Sequence, residues 1–284
     1  MTTTAGTPNS AAETVLSVAH LTKRFGDRLA VDDVSFEVPA GESLGIVGES
    51  GSGKTTVARM IAGLETPTKG SITCFGRDRS RPARKTGDRR RRGREVQIVF
   101  RDPYSSLDRR QTVGDSLAEI LALHDDGPKE RRGERVAELA QLVGLDERQV
   151  QALPGALSGG QRQRVAIARS LAARPRLLIL DESVSALDVS IQAQILNLLA
   201  DIRAETGLQY LLISHDLAVV RQLTEHAIVL RDGQVVDQGP TAALLDHPQH
   251  EYTRLLRASV PAPGWKPSRR PPRTVDPLGL ATTY

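Results

Sequence analysis

Residues 48–55 read G-E-S-G-S-G-K-T and match the phosphate-binding loop pattern G-x-x-x-x-G-K-[S/T]. An apolar run over residues 44–47 precedes this loop, and a segment of helical character over residues 56–62 follows it. The strand–loop–helix context matters because glycines turn backbone N–H groups inward around phosphate, while the lysine adds a positive charge and the last hydroxyl can bind Mg²⁺. A chance glycine-rich turn is the alternative, but the pattern favours a nucleoside triphosphate site. Its candidate residues are Gly48, Glu49, Ser50, Gly51, Ser52, Gly53, Lys54, Thr55 and Thr56.

Composition limits the class of protein. The chain has 284 residues, 39% of them hydrophobic, which is enough for a large globular core. Cys74 is its single cysteine, so an internal disulfide framework and a cysteine metal cluster are excluded, and a cytoplasmic location is expected. Residues 1–13 lack the basic start and apolar core of a signal peptide, and apolar runs such as residues 177–180 are too short to span a bilayer. We therefore expect membrane association to come only through partner proteins.

Two segments have unusual composition. Residues 77–94 hold ten of the 38 basic side chains, and six of the 16 prolines follow Val260. A nucleic-acid or anionic-lipid patch is one interpretation of the basic segment. A solvated, mobile loop between two strands is favoured, because no aromatic residues are interleaved for base stacking, and no nucleic-acid partner is predicted. Residues 1–13 and the proline-rich residues 261–284 are predicted to be disordered.

The remaining pattern alternates between strand and helix signals and predicts an α/β fold. Continuous apolar strands indicate a mostly parallel sheet covered on both faces, with ligands at the carboxyl ends of the strands. Residues 113–150 have helical periodicity and resemble a helical insertion. Strands are predicted at residues 15–19, 34–38, 44–47, 72–75, 96–100, 177–180, 210–213 and 227–230, and helices at residues 56–62, 159–172 and 191–204.

Two of these strand ends carry candidate catalytic groups. The strand at residues 177–180 runs into Asp181 and Glu182, and the strand at residues 210–213 runs towards His215. Asp181 could help Thr55 to hold Mg²⁺, and Glu182 is the candidate general base for an attacking water. An ordinary loop histidine is the alternative for His215.

A second anion site is indicated at residues 157–161, which read L-S-G-G-Q. Ser158 is a good N-cap, and the two glycines expose backbone N–H groups at the positive end of a helix. With this motif the sequence resembles the ATP-binding-cassette (ABC) family over roughly residues 14–260. The resemblance implies that Ser158, Gly159, Gly160 and Gln161 reach across a dimer to the γ-phosphate held by the other subunit.

The resemblance carries further expectations for the fold and for single residues. It implies a P-loop NTPase cassette fold with an N-terminal antiparallel β subdomain and a helical subdomain at about residues 104–165. The nucleotide-binding domain would span residues 14–238. Asp188 would link the two sites of the dimer, and His215 would sense the γ-phosphate. Phe25 would lie under adenine, with an ordinary core phenylalanine as the alternative. ATP and Mg²⁺ are the implied cofactors.

Two stretches refine the resemblance to one branch of the family. Residues 100–108 read F-R-D-P-Y-S-S-L-D, and residues 247–256 read H-P-Q-H-E-Y-T-R-L-L. Both are similar to the oligopeptide/dipeptide importer ATPases, and to the second of their two ATPase subunits, with residues 239–260 as a C-terminal extension. This implies a sister ATPase, two membrane permeases, an extracytoplasmic solute-binding protein and a place at the cytoplasmic face of the membrane. The cargo stays open between peptides, nickel and other small solutes.

Arg101 departs from the family pattern, which has glutamine at this position. A guanidinium group has only donors and cannot bind a cation, and Gln97, four positions upstream within a strand, should not replace the missing ligand. Two alternatives remain open: near-normal hydrolysis, or a weakly hydrolysing or regulatory subunit. Tyr104 and Leu107, close to Arg101, are expected to be apolar anchors for a permease helix. DNA-repair and translation-type cassettes are excluded, because there is neither room for a long coiled coil nor a second phosphate loop.

Overall fold

The computed structural model describes residues 13–124 and 127–258. The predicted disordered segments at the two ends lie outside these ranges, except for Glu13. The strands are β1 (Thr14–Phe25), β2 (Arg28–Pro39), β3 (Leu44–Val47), β4 (Lys69–Cys74), β5 (Arg77–Asp78), β6 (Val96–Val99), β7 (Leu177–Asp181), β8 (Gln209–Ser214), β9 (His226–Arg231) and β10 (Gln234–Pro240). The helices are α1 (Lys54–Ala62), α2 (Thr86–Glu95), α3 (Val113–His124), α4 (Arg132–Leu142), α5 (Glu147–Gln151), α6 (Gly159–Ala172), α7 (Val189–Thr206), α8 (Leu217–Leu223), α9 (Thr241–Asp246) and α10 (Glu251–Ala258).

The strands form two sheets. The larger has the order β10-β9-β3-β8-β7-β6, in which the neighbours from β9 to β6 are parallel and β10 is antiparallel to β9. Every residue of β3, β7 and β8 is buried, which follows from their continuous apolar runs and from coverage on both faces. The smaller sheet, β2-β1-β4-β5, is antiparallel. The predicted α/β architecture with a mostly parallel core and an antiparallel N-terminal sheet is confirmed.

The predicted helical region between β6 and β7 is also confirmed. Val113, Leu117 and Leu121 form the buried stripe of α3. Val136 and Leu139 form the stripe of α4, and both helices pack on α6 within one hydrophobic core. Its limits as a subdomain, together with the other domain boundaries, stay a prediction.

The favoured interpretation of the basic segment as a loop between two strands is wrong in part, since only residues 79–85 of the segment form neither helix nor strand. Residues 86–95 form α2, and Arg79 is 4% exposed, with a guanidinium nitrogen 2.5 Å from a carboxylate oxygen of Glu95. Arg92 donates hydrogen bonds to the backbone carbonyls of Asp78 and Arg81. The segment has almost no apolar residues to show a helical period, so the pattern could not reveal a helix held by guanidinium contacts.

The region after β8 contains elements that the sequence pattern did not predict, namely α8, β10, α9 and α10. Among the helices of residues 13–124 and 127–258, none combines the length and the apolar character needed to cross a membrane.

Candidate nucleotide-binding site

The phosphate loop connects β3 to α1, and its shape depends on glycine at two tight positions. Gly48 has φ 150°, and a Cβ there would lie 2.2 Å from the carbonyl oxygen of Leu230. Gly53 has φ 104°, and a Cβ there would lie 2.6 Å from the carbonyl oxygen of Ala30. Because an L side chain would clash with backbone at both positions, only glycine permits this turn. Helix α1 then begins at Lys54, two residues before the predicted start.

Lys54 lies inside the curve of this loop. Its Nζ is 2.8 Å from the carbonyl oxygen of Gly48, 2.7 Å from that of Glu49 and 3.4 Å from the hydroxyl of Ser52. Burial lowers the pKa of Lys54, while the carboxylates of Glu182 and Asp181 act in the opposite direction. The ammonium group is thus held beside the first turn of α1, where a phosphate would meet both a point charge and the helix N-terminus.

Thr55 and Asp181 form a pair of oxygen ligands at the end of β7. The Thr55 hydroxyl donates a 3.0 Å hydrogen bond to Asp181 Oδ1, and Asp181 is only 5% exposed. Burial raises the pKa of Asp181, although the bond from Thr55 opposes the shift. A buried carboxylate beside a hydroxyl is a donor set that suits Mg²⁺, because this cation prefers oxygen ligands. These two residues therefore fit the predicted metal site.

Glu182, the candidate base, has a backbone in the left-handed region, with φ 50°, and its N–H donates a 2.9 Å hydrogen bond to the Ile213 carbonyl of the neighbouring strand. An uncommon backbone conformation of this kind is often found at functional sites. Arg101 Nη1 lies 3.2 Å from Glu182 Oε2, and His215 Nδ1 lies 3.6 Å from Glu182 Oε1. The structure therefore brings both catalytic candidates and Arg101 together.

A cleft of about 790 Å³ opens over Arg101 and Glu182, while His215 is not among its lining residues in the described ranges. Phe25 lies at its edge and is 46% exposed, so it is not a buried core phenylalanine; its contact with adenine stays a prediction. Arg28 and Arg59 also line the cleft and were not predicted, because single arginines near a motif carry no distinct signal. The lining residues are Phe25, Arg28, Ala30, Ser50, Gly51, Gly53, Lys54, Thr55, Thr56, Arg59, Phe100, Arg101, Asp102, Ser106, Asp181 and Glu182.

The segment at residues 157–161 does not line this cleft in the described part of the chain. Ser158 caps α6, accepting a 3.3 Å hydrogen bond from Gln161 N, while Gln161 Oε1 accepts a 2.8 Å bond from Ser158 N. Gly160 packs on α7 so closely that a Cβ would lie 2.5 Å from Ile191 Cγ2. Asp188 caps α7 by accepting a bond from Ile191 N. Within one chain, the residues that are predicted to serve a second nucleotide site thus lie apart from the Lys54 site.

The expected pair of apolar anchors near Arg101 is partly wrong. Leu107 is 6% exposed and belongs to the hydrophobic core, so it offers no surface to a partner. Tyr104 is half-buried, and the guanidinium carbons of Arg109 and Arg162 lie 4.4 and 5.0 Å from its ring centroid. Since Arg162 lies on α6, this stacking links the segment after Arg101 to the helix that Ser158 caps.

The sequence model of the family described as ABC transporter matches residues 31–185, more than half of the chain. The chain belongs to the ABC transporter family. It is 45% identical over 271 residues to the oligopeptide transport ATP-binding protein OppD of Mycobacterium tuberculosis, covering 91% of this chain and 44% of that protein. It is 47% identical over 247 residues to the glutathione import ATP-binding protein GsiA of Salmonella paratyphi A, covering 87% of this chain and 39% of that protein.

Solved structures of ABC cassettes share the fold. The dimeric post-hydrolysis structure of the ATP-binding cassette MJ0796, bound to ADP and Pi, is 29% identical in sequence. Its TM-score is 0.71, and the match covers 80% of this chain and 98% of that chain. The predicted cassette fold is therefore confirmed. The chain spans less than half the length of the two curated relatives above.

Proposed function

We propose that this chain is the ATP-binding and ATP-hydrolysing subunit of an ABC importer for peptides or related small solutes. The observation that carries the proposal is the convergence of Lys54, Asp181 and Glu182 on one cleft at the carboxyl ends of the parallel strands. The names of OppD and GsiA place relatives of this chain in oligopeptide transport and glutathione import, which supports the solute class.

Each residue of the cleft has a role in this proposal. The loop of residues 48–56 binds the phosphates through backbone N–H groups, Lys54 adds charge, and Phe25 stacks under adenine. Thr55 and Asp181 would hold Mg²⁺, which neutralises phosphate charge when it is bound. Glu182 orients the attacking water and accepts its proton, and His215 contacts the γ-phosphate from the end of β8.

A second chain completes the site in this proposal. Ser158, Gly159, Gly160 and Gln161 at the start of α6 would contact the γ-phosphate bound by the partner's loop, and Asp188 would connect the two sites. The MJ0796 cassette is a dimer in its structure with ADP and Pi, which supports this arrangement. The partner is a sister ATPase or a second copy of this chain.

The names of the relatives, which concern transport and import, support a wider assembly. The dimer would bind two membrane-spanning permeases at the cytoplasmic face of the membrane, and an extracytoplasmic solute-binding protein would deliver the cargo. Residues 14–238 would form the nucleotide-binding domain, with a helical subdomain at about residues 104–165 and a C-terminal extension at residues 239–260. Isolating the chain from membranes and identifying the proteins that co-purify tests this assembly; recovery without any permease would contradict it.

Three variants of the full chain test the nucleotide site itself. Glu182→Gln should lower the hydrolysis rate by about 10²–10⁴-fold, the usual contribution of a general base, while ATP binding and ATP-dependent dimers persist. Lys54→Ala should instead weaken ATP binding. Glu205→Gln is the matched control, because Glu205 is an exposed carboxylate on α7 away from the cleft. Normal hydrolysis by the Glu182 variant would remove that residue from the role of base.

The contact between Arg101 and Glu182 favours a second candidate, a cassette that binds ATP well and hydrolyses it slowly. In that case the sister ATPase would set the transport rate. The two candidate functions differ in how fast this chain's own site hydrolyses ATP. The effect of Arg101→Gln on the hydrolysis rate distinguishes them.

A further inference from the structure

The C-terminal helix α10 reaches the phosphate loop, although about two hundred residues separate them in the sequence. Tyr252 is 4% exposed, and its hydroxyl oxygen lies 3.2 Å from the backbone nitrogen of Glu49, which donates the hydrogen bond. The ordinary pKa of tyrosine lies well above physiological pH and burial raises the pKa of Tyr252 further, so the phenol is neutral. The hydroxyl is therefore a stable acceptor for a loop N–H that no regular secondary structure satisfies.

Two further contacts hold Tyr252 and the neighbouring residue of α10 in place. The guanidinium carbon of Arg231 lies 4.9 Å from the Tyr252 ring centroid. The Thr253 hydroxyl donates a 2.7 Å hydrogen bond to Asp237 on β10. Because Arg231 ends β9 and Asp237 lies on β10, α10 is docked on the same edge of the sheet that borders the loop.

Glu49 is the point where this docking reaches the nucleotide machinery. Its carbonyl oxygen lies 2.7 Å from Lys54 Nζ, and its N–H is held by Tyr252. Farther along the loop, the carbonyl of Ser52 accepts a 3.1 Å bond from Gly233 N, in the turn between β9 and β10. The peptide groups of Glu49 and Ser52 are thus held by α10 and by the turn between β9 and β10, while other loop residues, Ser50, Gly51 and Gly53, line the cleft.

We propose that Tyr252 is a positioning residue for the phosphate loop: its hydroxyl fixes the peptide of Glu49 and thereby the resting position of Lys54, so that α10 sets the affinity of the loop for nucleotide phosphates. The inference rests on the proposed function for its effect on ATP. Its structural part, the state of the Glu49 amide, can be measured without nucleotide.

The test compares two variants of the full chain. Tyr252→Phe removes only the hydroxyl, and Thr253→Val removes the neighbouring anchor of the same helix without touching the loop. We expect Tyr252→Phe to raise the Kd for ATP and for ADP about three- to tenfold, the effect of losing one hydrogen bond. Hydrogen exchange at the Glu49 amide should accelerate in this variant, and Thr253→Val should lower Tm while leaving both quantities near wild type.

Three outcomes decide the proposal. Unchanged hydrogen exchange at Glu49 and unchanged ATP affinity in Tyr252→Phe would overturn it. Equal effects of the two variants would also overturn it, because Tyr252 would then be only a general anchor of α10. An effect confined to Tyr252→Phe supports it. If the unaltered chain fails to bind ATP, the proposed function fails, while exchange at Glu49, measured against a core amide such as that of Leu211, still decides whether Tyr252 orders the loop.

Discussion

Replacing Arg101 with glutamine should accelerate ATP hydrolysis, because Arg101 holds one oxygen of the candidate base. Its Nη1 lies 3.2 Å from Glu182 Oε2, and its side chain is 63% exposed. At this separation two unit charges attract by about 1.3 kcal/mol in water, and measured exposed pairs contribute up to about 1 kcal/mol. A water that uses the same lone pair of Oε2 must first displace the guanidinium group. Release of the contact should therefore raise the rate about five- to tenfold, since about 1.4 kcal/mol corresponds to a factor of ten.

The assay is steady-state ATP hydrolysis by the full chain with its partners. Arg110→Gln is the matched control, because it removes the same charge from the same exposed segment without a contact to Glu182. The difference between Arg101→Gln and the unaltered chain should shrink in 1 M salt, where the Debye length falls to about 3 Å. An unchanged or lower rate for Arg101→Gln, or an equal increase for Arg110→Gln, would refute the argument.

Three further predictions concern stability. Burial raises the pKa of Cys74 from 9.0 to about 11, so the thiol loses its proton at lower pH in the unfolded chain than in the folded one. The free energy of unfolding should therefore fall by about 2 kcal/mol as pH rises from 9 to 11, relative to Cys74→Ala, and parallel pH profiles of the two proteins would contradict this. Gly160→Ala should lower the free energy of unfolding by about 1–3 kcal/mol, because the new Cβ would clash with Ile191. In a double-mutant cycle, Ile191→Ala should cancel part of that loss, and strictly additive effects of the two substitutions would exclude the clash. Glu95→Ala should lower the free energy of unfolding, measured with denaturant, by about 3–5 kcal/mol, because the buried guanidinium group of Arg79 loses its carboxylate partner. A change below about 1 kcal/mol would show that Arg79 moves into solvent instead.

The sequence predicted most accurately the elements that carry their own boundary signals. Helix α6 spans the predicted residues, because Ser158 and Gln161 form a capping box that marks its start. The buried strands β3, β7 and β8 were predicted to within a residue, since both faces require apolar side chains. The convergence of Lys54, Asp181 and Glu182 followed from the rule that parallel strands end at one edge.

The sequence did not reveal features that depend on contacts between distant residues. The contact of Arg101 with Glu182 joins positions 81 residues apart, and no local pattern encodes it. The burial of Leu107 depends on where α3 and α6 pack, so an apolar residue beside a motif could be read as a surface anchor. Helix α2 was missed for a related reason: its arginines contact carbonyls and carboxylates, as Arg92 and Arg91 do, instead of forming an apolar stripe.

The two helix N-termini with phosphate-binding character have different surroundings, and this difference bears on the dimer. The start of α1 has Lys54, Asp181 and Glu182 around it, so one chain brings together the groups proposed to bind and attack a triphosphate. The start of α6 is capped by Ser158, and in the described ranges residues 157–161 do not line that cleft. A phosphate held only by α6 would lack a base, and one held only by α1 would lack a ligand on its far side. Pairing α1 of one chain with α6 of another removes both deficiencies, and Val189, 85% exposed beside Asp188, leaves the connecting segment accessible for such a partner.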